Sequence, residues 1–211
     1  MFFGNDVGFW QPHQQLSDYL SRQGFAVVGY DLRKIMKSTL STVPPDRELV
    51  VRNTFVELIQ QSISEFHAER LPLVLMGHSF GAEIAIWAAG HIDQPTLVGV
   101  VAMSPAAHGH LAITPMDFMS SAPPTDQTAF AVADLVGLMP STMPVALVRG
   151  VNDRYAVEDS SIIVAGGSRL RKFSIPVAGH ALKKIIFAKY TVRDAVDWVL
   201  SRNYRGGTAS N

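Results

Sequence analysis

The sequence predicts an α/β protein: a mostly parallel sheet with helices on both faces, a three-layer α/β/α sandwich. Three observations predict it. Apolar runs of strand length alternate with helical patterns along the chain. Those runs, such as residues 71–76 (LPLVLM) and 97–103 (LVGVVAM), are continuously apolar, which marks strands buried on both faces. The chain has 211 residues, 47% of them hydrophobic and none Cys, enough for a proper core without disulfides.

Each element follows from its residues. The chain opens on Met1-Phe2-Phe3-Gly4, as though a strand were already under way. Residues 11–23 carry Leu16, Tyr19 and Leu20 at helical spacing, and Gly24 suits the stop. Residues 24–30 (GFAVVGY) read as a short strand and 34–46 as a polar stretch ending after Pro44 and Pro45. A long helix is expected over 46–70, with Val51, Phe55, Leu58, Ile59, Ile63 and Phe66 on one face. The strand 71–76 leads through a tight turn at 77–81 into a helix over 82–91, and the strand 97–103 follows. From Ser104 to Met143 the pattern weakens around several prolines, with one short helix at 128–138, so 104–143 is expected to form a lid or cap. Strands at 145–148 and within 168–175 precede a closing amphipathic helix over 181–201 that carries Val192, Ala195, Val196 and Val199. The expectation is a single domain over 1–204 and a disordered tail over 205–211.

Composition excludes several function classes. The 18 Lys and Arg balance the 18 Asp and Glu, which argues against a nucleic-acid binder. Without Cys there is no thiol nucleophile and no Cys-ligated zinc. Apolar runs stay near seven residues, whereas a spanning helix needs about 20.

Residues 77–81 read Gly-His-Ser-Phe-Gly, a G-x-S-x-G turn between a buried strand and a helix. Such a turn lifts Ser79 Oγ above the sheet, and Gly77 and Gly81 have no Cβ to collide with neighbouring backbone. Serine needs a base, because its hydroxyl is a weak nucleophile at neutral pH. Of the seven histidines only His180 lies in a late loop after a strand, beside Gly179. The acid is expected after the strand before that: Asp153, with Glu158 and Asp159 as fallbacks. Oxyanion donors are expected from the backbone N–H of Phe80 and of Asn5, in the glycine-rich Gly4–Gly8 stretch. His78 is expected to pack or to line the pocket. His108 and His110 have metal-ligand spacing but no acidic or Cys partners, so a flexible active-site cover is expected there and no metal. Arg33, Lys34 and Lys37 are expected in a solvated loop. No cofactor is needed.

Gly77–Gly81, Asp153 and His180, in this order, resemble the α/β-hydrolase superfamily over roughly residues 2–200. The segments 4–10 (GNDVGFW), 27–33 (VVGYDLR), 76–82 (MGHSFGA) and 103–105 (MSP) resemble the VirJ/AcvB-type bacterial virulence-protein family. That resemblance implies a hydrolase-like envelope protein, often periplasmic, acting on an ester, with aminoacylated phospholipid as one substrate class. The family's usual Cys shortly after the acid is absent here, and its Gly-Gly-His-His-type loop is replaced by Val177-Ala-Gly-His-Ala181. The expected function is a serine hydrolase of a small-molecule or lipid ester; binding without turnover and acyl transfer are the alternatives. In the superfamily the oxyanion loop follows the third strand, so its position at Gly4 predicts a sheet of about six strands that lacks the first N-terminal strands.

Overall fold

Six strands form one sheet in the computed structural model, which describes residues 1–39, 46–113, 124, 127–181 and 185–206. They are β1 (Phe2–Phe3), β2 (Gly29–Tyr30), β3 (Leu73–His78), β4 (Leu97–Met103), β7 (Val145–Gly150) and β8 (Leu170–Ile175). Their order is β2-β1-β3-β4-β7-β8, and every neighbouring pair is parallel. Two short strands, β5 (His108–Gly109) and β6 (Phe130–Ala131), pair antiparallel outside this sheet.

Period-two alternation sorts the strand residues between two cores. Phe3, Leu75, Val100, Ala102 and Val145 face helices α2 (Leu32–Thr39), α3 (Asp46–Glu65), α4 (Phe80–His91), α5 (Val132–Leu138) and α6 (Asp159–Gly166). Phe2, Met76, Val101, Met103, Ala146 and Val148 face α1 (Gln11–Arg22) and α7 (Ile185–Gly206). This is the expected three-layer arrangement. Helix α4 is buried continuously from Phe80 to Ala89, so its surface is apolar nearly all round.

The chain leaves β1 toward β2 on one side and returns to β3 on the other. The turns after β1 and β3 therefore face each other at the carboxyl ends of the strands, where open α/β sheets place their ligand sites.

Several expected elements differ in extent. The strand expected over 24–30 shrinks to Gly29–Tyr30. A parallel ladder needs a partner for each group, and β1 offers only Phe2 and Phe3; the ladder ends where Phe2 N–H donates to the Val28 carbonyl at 2.8 Å. The polar stretch after Asp31 begins as helix α2, because Leu32 and Met36, one turn apart, are both fully buried. Arg33, Lys34 and Lys37 thus lie on a helix and not in a loop. Helix α3 stops at Glu65 instead of Arg70: His67 adopts a left-handed φ of 51°, and Ala68 N–H bonds back to the Ile63 carbonyl. The stretch after Ser104 carries β5, β6 and α5, whose Val132 and Val136 enter the core; most of its middle lies outside the described residues. The closing helix starts at Ile185 and reaches Gly206; the rest of the expected tail is also outside them.

Candidate active site

Ser79 sits between β3 and α4 with φ 55° and ψ −125°, a conformation that costs a non-glycine residue about 1–3 kcal/mol. The glycines around it are sterically required. A Cβ at Gly77 would lie 1.9 Å from the Gly81 carbonyl oxygen, and one at Gly81 would lie 2.2 Å from that of Gly4. Gly81 therefore presses the turn after β3 directly against the turn after β1. The Ser79 amide is held by the Met103 carbonyl at 2.8 Å.

Three expected residues meet here although distant in sequence. Ser79 Oγ lies 2.8 Å from His180 Nε2. His180 Nδ1 lies 3.3 Å and 3.4 Å from the two carboxylate oxygens of Asp153. The side chain of Asp153 is fully buried, and the Tyr155 N–H donates to its Oδ1 at 3.0 Å. Burial works to raise the Asp153 carboxyl. The hydrogen bonds from His180, Arg149 and the Tyr155 amide outweigh it and hold the group well below the usual carboxylate range. An ionised Asp153 selects the His180 tautomer with its proton on Nδ1, which leaves Nε2 to accept from Ser79.

Arg149 is the site residue that sequence reasoning passed over. It is 1% exposed at the end of β7. Its guanidinium donates to Asp153 at 2.8 Å, to Asp159 at 2.5 Å and to the Pro105 carbonyl at 2.7 Å. The signal was present: charged residues are almost never fully buried unless paired, and Arg149 continues a buried strand four residues before Asp153.

A cleft of about 300 Å³ opens over Ser79 and His180, and Asn5 and Phe80 both line it. Phe80 begins α4, so its N–H has no partner within the helix. Of the fallback acids, Asp159 opens α6 and pairs with Arg149 and Lys172, and Glu158 accepts from the Ala107 amide at 2.7 Å. Both carboxylates are thus engaged by groups other than His180, although Glu158 also lines the cleft. His108 and His110 reach the cleft wall, and His108 is paired in β5 instead of lying on a loose cover.

His78 borders the same cleft and is buried against His13, each 1% exposed. Burial pushes His78 down to about 3 and His13 to about 4. The unfolded chain binds these protons near pH 6.5, whereas the native state rejects them, so stability should fall as pH drops below that value. Each ring is expected to cost about 2 kcal/mol between pH 7.5 and pH 5. Urea midpoints at the two pH values check this; equal midpoints would mean that neither ring is held neutral.

The family model described as Serine aminopeptidase, S33, matches residues 11–139, more than half of the chain. That span includes Ser79 but neither Asp153 nor His180. No curated protein matches in sequence. Solved structures share the fold. The esterase domain of a Rhodothermus marinus protein is 17% identical with a TM-score of 0.61, covering 96% of this chain and 84% of that one. A Pyrococcus furiosus esterase is 17% identical with a TM-score of 0.62, over 95% and 82%. An alpha-beta serine hydrolase homologue from Coxiella burnetii is 16% identical with a TM-score of 0.58, over 92% and 83%.

Proposed function

The chain belongs to the α/β-hydrolase family described as Serine aminopeptidase, S33, and on that premise we propose that it is a serine hydrolase cleaving a carboxylic ester or related acyl bond. One observation carries this reading: Ser79 Oγ, His180 and the buried Asp153 form a connected line, with Oγ 2.8 Å from Nε2. His180 takes the Ser79 proton as Oγ attacks the carbonyl carbon. Asp153 holds the imidazole and stabilises the imidazolium without taking its proton. The N–H groups of Phe80 and Asn5 receive the developing oxyanion. His180 then protonates the leaving oxygen, and water resolves the acyl-enzyme with His180 again as base. None of these steps calls on a cofactor.

A fluorophosphonate probe tests the nucleophile directly. A single adduct at Ser79 is expected, and no adduct on the intact protein would favour binding without turnover. The cleft is modest in volume, and its wall includes Asp6, Glu83, His108, His110 and Glu158. Such a wall suits compact acyl groups better than long alkyl chains. Across p-nitrophenyl esters of graded length, kcat/KM is expected to be about tenfold or more higher at two to four carbons than at twelve. Aminoacyl lipids on the same panel test the narrower VirJ/AcvB-type resemblance.

A further inference from the structure

Two buried imidazoles connect the start of α1 to the loop that carries His180. The Trp10 backbone N–H donates to His13 Nδ1 at 3.3 Å. His13 Nε2 lies 3.1 Å from His78 Nδ1, and His78 Nε2 lies 2.9 Å from the His180 carbonyl oxygen. A neutral imidazole has one donor and one acceptor nitrogen. The Trp10 amide can only donate, so the His13 proton sits on Nε2. His78 Nδ1 must then accept, which puts its proton on Nε2. The carbonyl at the far end can only accept, so both ends of the chain require the same arrangement. The rings of Phe2, Phe9 and Trp10 surround His13 at centroid distances of 5.3, 5.3 and 5.9 Å.

We infer that His78, oriented by His13, is a positioning residue for the base: its Nε2–H holds the His180 backbone so that the ring meets Ser79. The inference rests on the serine-hydrolase reading above. His78 and Ser79 are adjacent, and both side chains bond to His180, the first to its backbone carbonyl and the second to its ring. One short segment therefore presents the nucleophile and anchors the loop bearing its base. A second anchor, Asn152 N–H to the Ala178 carbonyl at 2.9 Å, holds the same loop two residues earlier. Core filling alone does not account for the pair, because two polar rings in an apolar cage carry a desolvation cost that leucine would not.

The test compares His78→Leu with His78→Gln. Glutamine can accept from His13 and donate to the His180 carbonyl; leucine can do neither. With a short activated ester, His78→Leu is expected to lose about 10–100-fold in kcat with KM within about twofold, as for a misplaced catalytic group. His78→Gln is expected to recover to within about fivefold of the parent. Unchanged kcat in His78→Leu, or equal losses in both variants at equal thermal stability, would overturn the inference. Nitrogen-15 NMR of the parent at pH 7.5 decides the matter even if a variant fails to fold. Both rings should be neutral and protonated on Nε2, and a proton on Nδ1 of either overturns it. Absence of a fluorophosphonate adduct on the parent would instead sink the serine-hydrolase reading and leave the tautomer result standing.

Discussion

Replacing Ser79 with alanine is expected to remove ester turnover, by about 10⁴-fold or more in kcat, while the fold persists. The size follows from the connected line at the site: without Oγ, His180 has no proton to take and no acyl-enzyme forms. The elbow's strain adds a second expectation. Ser79 holds φ 55°, and alanine at that position would be equally strained. Glycine adopts positive φ without a steric cost. Ser79→Gly is therefore expected to be as inactive as Ser79→Ala but more stable by about 1 kcal/mol. Steady-state turnover of p-nitrophenyl acetate and urea denaturation read the two effects separately. Activity retained in Ser79→Ala would mean that another nucleophile does the chemistry.

Arg149→Met is expected to produce the largest loss of stability, about 3–5 kcal/mol, because it removes one partner from a buried ion cluster. Arg149 and Asp153 are essentially inaccessible to solvent, and the guanidinium also joins Asp159 to the Pro105 carbonyl. Lys172 still reaches Asp159 at 2.8 Å, so the exposed cost falls mainly on Asp153. Against a total stability of roughly 5–15 kcal/mol, such a loss leaves little margin. Lysine is no conservative replacement, since a single ammonium cannot span two carboxylates and a carbonyl as the planar fork does. The pH dependence has a definite sign. The folded Asp153 carboxyl is depressed, so its contribution is complete above its unfolded value, near 3.9, and is lost as pH falls toward the folded value. Without Arg149 the folded value rises and that contribution shrinks. Urea midpoints at pH 7.5 measure the loss, and a change under about 1 kcal/mol would show that the cluster is not a net support.

Much of the fold was legible in the residues. The strand Leu97–Met103 occurs with the expected ends, because a continuous apolar run has one stable place, inside a covered parallel sheet. Ser79 was legible because glycine on both sides, between strand and helix, has few other uses. His180 and Asp153 followed from chain order, since each opens the loop region after a strand. Helix α2 was not legible: Leu32, Ile35 and Met36 mark its buried side over a single turn, too short a stretch among polar residues to establish a period. The shortness of β2 was not legible either, because it depends on how many residues β1 offers beside it.

By itself, the sequence determined the alternation of strands and helices and the tight turn that carries Ser79. These are local properties: apolar periodicity, turn sterics and side-chain chemistry all act over a few residues. Only the tertiary structure decided that Arg149 would join Asp153 to Asp159, and that His13 would reach His180 through His78. The histidine links run between groups far apart in the chain, and the strength of both sets of links comes from burial. Burial is set by what the sheet and its helices place around each group, which no stretch of neighbouring residues records.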